Sequence, residues 1–87
     1  MAHKVDEMET LSGALDDVRT FCRVVELGTL SAAARVMGET KGSISRRLRR
    51  LETSLGLQLL ARHPRSVSVT AEGQLFYGKA QEGLLLL

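Results

Sequence analysis

The sequence contains very few aromatic residues and a single cysteine, and these shortages exclude several kinds of site. Its aromatic side chains are Phe21, Phe76 and Tyr77, which are too few for a surface of exposed rings on which unpaired bases stack. Cys22 is the one cysteine, so an intramolecular disulfide and a zinc site built on cysteines are both excluded. Because Cys22 falls on the apolar stripe of a predicted helix, we expect a small buried residue and not a nucleophile.

The sequence also lacks long apolar runs and recognisable catalytic groups. No stretch is long enough to cross a membrane, and the first residues lack the apolar core of a signal peptide, so a cytoplasmic location is expected. There is no pairing of a nucleophile with a base, no phosphate-binding loop and no cluster of metal ligands. The 87 residues suffice for one small domain, and we expect that domain to have no enzymatic activity and no cofactor.

Charge is distributed unevenly along the chain. The net charge is only +2, but the first 17 residues contain five carboxylates and one lysine, whereas residues 41–50 contain five basic residues and no acid. Nine of the 12 basic residues are arginines, whose planar fork suits phosphate and guanine. The distribution predicts a polyanionic partner for the basic segment and a flexible acidic N-terminal arm over residues 1–14.

The basic segment predicts one helix with two different faces, over about residues 41–54. At about 100° per residue, Ile44, Leu48 and Leu51 share the side that can pack in a core. Small residues on the other side allow the first turn to approach base edges, and guanidinium groups bind phosphates and guanines. Taken alone, the segment is equally consistent with a solvated basic face. The polar side consists of Gly42, Arg46 and Arg49, flanked by Ser43, Ser45 and Arg50.

The first clear helix is predicted over Leu15–Leu27, with Gly28 at its end. Its apolar surface is wider than one core contact requires, because Val24 and Leu27 lie outside the main stripe. Two explanations remain open, namely a deeply packed helix and a dimer contact.

A short second helix is predicted over residues 30–37, with Thr29 as its N-cap. Gly38 then forms a turn, and Thr40 can cap the basic helix. A short helix, a glycine turn and a helix with a polar first turn are typical of a helix-turn-helix motif.

After the basic helix, two short extended segments predict a hairpin. Leu57–Leu60 and Ser66–Val69 are the two segments, and the tip over residues 62–66 carries Arg62, His63 and Arg65. A basic hairpin beside such a helix can reach the minor groove or phosphates. Alternatively, Arg62 and Arg65 do not contact DNA and only keep an exposed loop soluble.

A last helix is predicted from Ala71 to at least Leu84, with Thr70 as its cap. Its apolar stripe consists of Phe76, Ala80, Leu84 and Leu87. Four consecutive leucines at residues 84–87 would be unfavourable in water on an isolated domain. We therefore expect a dimer interface here, or continuation into a longer protein.

Several segments carry a pattern that is specific when taken together. They are Val18-Arg19-Thr20-Phe21, Glu26-x-Gly28-Thr29-Leu30-Ser31-x-Ala33-Ala34, Ser43-Ile44-Ser45-Arg46-x-Leu48-x-x-Leu51-Glu52-x-x-Leu55-Gly56, Leu59-Leu60-x-Arg62 and Val69-Thr70-x-x-Gly73. Over residues 15–87 the chain resembles the N-terminal domain of LysR-type transcriptional regulators. The resemblance implies a mainly α fold with a small β-hairpin wing. A winged helix-turn-helix over residues 15–70 would be followed by a long linker helix, or dimerisation helix, over residues 71–87.

The resemblance also implies partners. A homodimer formed through the linker helix, or a tetramer in the full-length protein, would bind double-stranded DNA and no membrane. A C-terminal domain, absent from this chain, would bind a small-molecule effector. We therefore expect either a fragment of a longer bacterial protein or a natural truncation, and favour the fragment. The resemblance and the helical pattern together predict DNA contacts for Ser31, Ala32, Thr40, Lys41, Gly42, Ser43, Ser45, Arg46, Arg49, Arg50, Arg62 and Arg65, and dimer contacts for Phe76, Ala80, Leu84 and Leu87.

The sequence departs from the family pattern at three positions. Lys41 stands where glutamine is usual, and Gly42 stands where proline or serine is common. Because lysine only donates hydrogen bonds, it would favour guanine or phosphate over adenine. Glu39 replaces an apolar turn residue, which puts the packing under the turn in question. A protein-interaction module without DNA affinity is the alternative function, and a steep salt dependence of DNA binding would distinguish the two.

Overall fold

Four helices and one antiparallel hairpin make up the part of the chain that the computed structural model describes. It describes the backbone of residues 3–64 and 66–85 and the side chains of residues 13–64 and 66–83. In chain order the elements are α1 (His3–Leu27), α2 (Leu30–Met37), α3 (Lys41–Leu55), β1 (Leu60–Arg62), β2 (Val67–Val69) and α4 (Ala71–Leu85). The two strands pair in register, with Leu60 opposite Val69 and Arg62 opposite Val67.

Threonine caps and glycine turns fix the limits of α2 and α3. The hydroxyl oxygen of Thr29 accepts a hydrogen bond from the Ala32 amide, and that of Thr40 accepts one from the Ser43 amide, both at 3.1 Å. These bonds satisfy amides that have no partner within their own helix. Gly38 ends α2 with φ +67°, a conformation that favours glycine. The predicted limits of the helix-turn-helix are therefore confirmed.

The core lies where α1, α2, α3 and the start of the hairpin meet. Phe21 of α1 is completely buried and stacks at a tilt against Phe76 of α4, with ring centroids 5.7 Å apart. The leucine seam of α3 faces inward as predicted. The buried apolar side chains are Phe21, Cys22, Val24, Ala33, Ala34, Ile44, Leu48, Leu51, Leu59 and Leu60.

The wide apolar surface of α1 is largely used inside the domain. Val24 is buried, whereas Leu27 remains 38% exposed. Deep packing therefore accounts for Val24 without a dimer contact. Cys22 is also buried, as predicted, and this burial, reinforced by the charge of Glu26, raises the pKa of its thiol.

Helix α1 begins earlier than the sequence indicated. It starts at His3, so residues 3–14 of the predicted flexible arm are helical. The segment contains no proline, and once the packed part of a helix exists each further residue adds one hydrogen bond. Extension from Leu15 toward the N-terminus therefore needs no amphipathic pattern.

Strand β1 is shorter than predicted, since it begins at Leu60 and not at Leu57. The backbone groups before it serve other partners. The Leu57 amide donates to the Glu52 carbonyl at 3.2 Å, and the Gln58 carbonyl accepts from the Thr70 hydroxyl at 2.6 Å. These bonds close α3 and hold the start of α4, so Leu57 and Gln58 do not join the ladder, whereas the Leu59 carbonyl still accepts from the Thr70 amide at 3.0 Å.

Helix α4 turns two of the predicted dimer residues toward the domain's own core. Phe76 and Ala80 are half-buried and pack against the core cluster. The side chain of Leu84 and the whole of Leu87 lie outside the described residues. Leu75, by contrast, is 75% exposed. The dimer contacts predicted for Phe76 and Ala80 stay predictions, and both side chains are packed in part against their own domain.

Candidate nucleic-acid interface

The N-terminal ends of α2 and α3 converge with the wing on one cleft of about 220 Å³. Ser31 comes from α2, Lys41 from α3 and Arg62 from β1, so three predicted contact residues from distant parts of the sequence meet there. The cleft combines hydroxyl groups with cationic side chains, which are the groups that bind phosphate oxygens. Its lining consists of Thr29, Leu30, Ser31, Lys41, Arg62, His63, Pro64, Ser66 and Val67.

The outer face of α3 continues from this cleft along the helix. Lys41, Gly42, Arg46 and Arg49 are exposed, and Ser43 and Ser45 are half-buried. Arg46 extends back over the first turn, because its Nη1 lies 3.5 Å from the position that a Cβ on Gly42 would occupy. The absence of a side chain at Gly42 leaves room for that guanidinium group. The first turn therefore presents both a small surface and a forked donor.

The basic residues of α3 fall into two groups by their partners. Arg47 and Arg50 form ion pairs with acids of other segments. Within the described residues, the side chains of Lys41, Arg46 and Arg49 form no hydrogen bond and no salt bridge. Three cations thus remain for an external anion, fewer than the five that the sequence suggested.

Arg50 is held by α1. Its Nε and Nη2 donate to the two carboxylate oxygens of Asp17, each at 2.7 Å. The hydrogen bonds and the charge of Asp17 raise the pKa of Arg50. Although the Arg50 side chain is 64% exposed, its charge is compensated inside the domain. In the free domain Arg50 thus takes part in a structural ion pair, and its predicted phosphate contact stays a prediction.

Arg62 is likewise engaged within the domain. Its Nη1 donates to Glu52 at 3.1 Å, and its side chain is only 28% exposed. The other carboxylate oxygen of Glu52 accepts from the amides of Leu59 and Leu60, at 2.8 and 3.2 Å. Arg62 therefore fastens the wing to α3 in the free domain, and its predicted DNA contact stays a prediction.

Arg47, which the sequence did not single out, stabilises the turn of the motif. It donates to Glu39 at 2.6 Å and to the buried hydroxyl of Thr20 at 3.4 Å. Glu39 is exposed, so the charge at this turn position is compensated by Arg47 and does not disturb the core.

Two further predicted contact residues serve as parts of helix caps. The Thr40 hydroxyl accepts from Ser43, and the Ala32 amide donates to Thr29. Ser31 beside them is exposed. Arg65 lies outside the described residues, so its predicted place in the wing is not described either.

Asp17, Glu52 and His63 matter to this surface and were missed as site residues. Glu52 had a signal, because it is the only acid among the residues of α3. Asp17 had no distinguishing signal, because it is one of several carboxylates in α1. His63 lines the cleft, and its Nε2 lies 3.1 Å from the hydroxyl of Ser68.

Metal-binding clusters and membrane-spanning helices are absent from the described residues. Among them, no group of three or more histidine, cysteine or acidic side chains is placed to hold a metal ion. None of the helices described is both long enough and apolar enough to cross a membrane.

The helix pair joined by a glycine turn, the following hairpin and the exposed cations of α3 define a winged helix-turn-helix DNA-binding domain. The family described as "Bacterial regulatory helix-turn-helix protein, lysR family" has a sequence model that matches residues 15–74. The chain therefore belongs to the LysR family of regulators, as the resemblance indicated. The long helix that follows the wing in this family is represented here by α4 up to Leu85.

Curated relatives and solved structures agree with this assignment. The chain is 41% identical over 70 residues to the HTH-type transcriptional regulator PtxR of Pseudomonas aeruginosa, and the match covers 80% of this chain and 22% of PtxR. The complex of the CbnR DNA-binding domain with DNA is similar at a TM-score of 0.80 and 33% identity, covering 83% of both chains. The BenM DNA-binding domain bound to catB site 1 DNA gives a TM-score of 0.76 at 38% identity, covering 80% of this chain and 78% of that one. The chain thus spans about a fifth of the length of the curated relative.

Proposed function

We propose that this domain binds double-stranded DNA sequence-specifically as part of a dimeric transcriptional regulator. Helix α3 enters the major groove, and the wing over residues 62–66 lies at the minor groove. The observation that carries the proposal is the exposed row of uncompensated cations on α3, which continues into the cleft shared with Ser31 and the wing. The DNA complexes of the similar CbnR and BenM domains also support the proposal.

Within this interface, Arg46 reads a base. Its guanidinium group lies over the small first turn of α3, where Gly42 allows the helix to approach base edges. A guanidinium fork can donate two bonds to the O6 and N7 atoms of guanine. Lys41, at the start of the same turn, donates to guanine or to a phosphate. Arg49 lies one turn further along the helix and contacts the phosphate backbone.

The test compares Arg46→Ala with Arg49→Ala on two duplexes. The duplexes are a site obtained by in-vitro selection with the wild-type chain and a shuffled sequence of the same composition. Loss of a base contact costs about 1–3 kcal/mol at the selected site, so Arg46→Ala should bind that site roughly 5- to 150-fold more weakly and discriminate less between the two duplexes. Arg49→Ala should weaken binding to both by the same factor.

Two results would overturn the proposal at different levels. Equal losses on both duplexes for Arg46→Ala would remove its base-reading role. An absence of measurable duplex binding by the wild-type chain at low salt would instead favour the protein-interaction module. In a DNA-binding domain the logarithm of the association constant should fall linearly with the logarithm of salt concentration, by about 0.9 for each phosphate contacted.

Dimerisation and effector control are also part of the proposal. The chain covers only 22% of the relative PtxR, so the properties of a whole regulator are proposed and not observed. Two recognition helices related by a two-fold axis would address two half-sites on one face of the duplex. A small-molecule effector would act through a C-terminal domain beyond these 87 residues, and this domain itself needs no cofactor for its contacts with DNA.

A further inference from the structure

Helix α1 holds one edge of the recognition helix through two arginines that are three residues apart. Arg47 donates to Thr20, and Arg50 donates to Asp17 through two bonds of 2.7 Å. The opposite edge of α3 is held by Glu52, which bonds to the start of the wing. The groups that reach DNA must therefore come from the strip between these two edges.

Arg50 lies at the margin of that strip. On an α-helix, residues four apart differ by about 40° in direction, so Arg50 projects close to the direction of Arg46. Its side chain is 64% exposed, whereas the side chain of its partner Asp17 is only 4% exposed. The guanidinium group is thus within reach of solvent and of a polyanion, while the carboxylate that holds it is buried.

This asymmetry prevents a simple exchange of partners. If Arg50 left Asp17 for a DNA phosphate, a buried carboxylate would lose both of its charge-assisted bonds, which is strongly unfavourable. A phosphate contact on an exposed surface offers less, because salt screens it and counterions compete. Arg50 therefore stays with Asp17 when the domain meets DNA.

We propose that Asp17 limits the strength of sequence-independent binding by keeping Arg50 away from DNA phosphates. The inference rests on the proposed function, since it concerns how one domain divides its affinity between base contacts and phosphate contacts. By removing one cation from the phosphate-binding set, Asp17 lowers affinity for every sequence by the same factor. Specificity is a ratio of affinities, so this non-selective change leaves the ratio unchanged while it lowers the total affinity and its salt dependence.

The test measures the salt dependence of binding to the selected and shuffled duplexes for the 87-residue chain. Asp17→Asn removes the charge that holds Arg50. One added phosphate contact should steepen the salt slope by about 0.9 per protomer and raise affinity for the shuffled duplex roughly eightfold at 0.1 M salt. Affinity for the selected duplex should rise by the same factor, so the ratio of selected to shuffled affinity should be unchanged.

A matched control is offered by the neighbouring residue. Asp16→Asn makes the same change of net charge one residue away, but Asp16 is exposed and acts on Arg50 only through its charge. This variant should leave the salt slope within about 0.3 of the wild-type value. If the salt slope steepened equally in Asp16→Asn and Asp17→Asn, net charge alone would be responsible and the proposal would be overturned.

Arg50→Gln provides a second, independent test, which can be carried out even if Asp17→Asn is too unstable to titrate. Because Arg50 makes no phosphate contact in the wild-type domain, its removal should leave the salt slope unchanged, although the thermal unfolding temperature falls. A slope reduced by about 0.9 per protomer would show that Arg50 contacts phosphate and would refute the proposal. The double variant Asp17→Asn/Arg50→Gln should return to the wild-type slope. Failure of the wild-type chain to bind any duplex would count against the proposed function itself.

Discussion

At Gly73 the first turn of α4 lies directly against the chain that enters β1. A Cβ at this position would overlap the carbonyl oxygen of Leu59 and lie 2.7 Å from Cγ1 of Val69. The amide of Gly73 also donates to the capping hydroxyl of Thr70 at 3.0 Å. At Gly73, therefore, the N-terminal cap of α4, the end of β2 and the carbonyl of Leu59 lie in direct contact.

We expect Gly73→Ala to lower the free energy of unfolding by about 1–3 kcal/mol, because backbone atoms must move to accept the methyl group. Urea denaturation followed by circular dichroism measures the change. Gly78→Ala in the same helix is the matched control, since nothing lies within 4 Å of its added Cβ. It should raise stability by about 0.5–1 kcal/mol through helix propensity. A stabilising effect at both positions would contradict the packing described at Gly73.

Residue by residue, the sequence predicted which side of α3 is apolar but not which arginines are available to DNA. Ile44 and Leu48 are buried as their spacing requires, because helical periodicity is a local property. The partner of Arg50 lies 33 residues earlier in the chain, so no local pattern reveals it. The same applies to Arg62, because its partner Glu52 lies beside it only when β1 folds back along α3.

Among the elements, the junction between α3 and β1 depends on one carboxylate. Glu52 accepts from two backbone amides, those of Leu59 and Leu60, and from the guanidinium group of Arg62. Nε and Nη2 of Arg62 are buried without another partner among the described residues. Glu52 is therefore the chief compensation for a largely enclosed cation, and it sets the position of the wing relative to the recognition helix.

Glu52→Gln keeps the shape of the side chain and removes its charge. We expect the free energy of unfolding to fall by about 1–3 kcal/mol, because Arg62 loses its counter-charge and the single amide oxygen of glutamine must serve donors that the two carboxylate oxygens of Glu52 shared. Hydrogen exchange at the Leu59 and Leu60 amides should accelerate more than exchange within α2. Glu72→Gln, at an exposed position in the first turn of α4, is the charge-matched control and should leave both amides unaffected. Unchanged exchange in Glu52→Gln would mean that the wing is held by other contacts.

The limits of the elements were predictable where a capping residue or a glycine marks them. Thr29, Gly38 and Thr40 have the roles that their side chains favour. The start of α1 carries no such mark, and its helix continues to His3 for reasons of cooperativity. The start of β1 was misplaced because hydrogen bonds to Glu52 and Thr70, which come from other elements, occupy the preceding backbone.

For the molecule as a whole, the packing of α4 bears on how the proposed dimer could form. Phe76 and Ala80 pack against the core of their own domain, so the sequence-based stripe combined residues that serve the monomer with residues outside the described part. The periodicity of an apolar helix identifies a buried face but not the molecule against which it is buried. Leu75, 75% exposed, lies on the part of α4 that faces away from that core.

If the proposed dimer forms along the free face of α4, Leu75→Asp should disrupt it without unfolding the domain. Placing a carboxylate in an apolar contact costs about 2 kcal/mol or more, so the dimer dissociation constant should rise roughly 30-fold. Sedimentation equilibrium over a range of concentrations measures this shift, and thermal unfolding by circular dichroism checks the fold. Gln74→Asp introduces the same charge at an adjacent exposed residue and should have a smaller effect. Binding to a duplex with two half-sites should weaken in Leu75→Asp, whereas binding to one half-site should persist. An unchanged dissociation constant would place the contact between copies outside this face of α4.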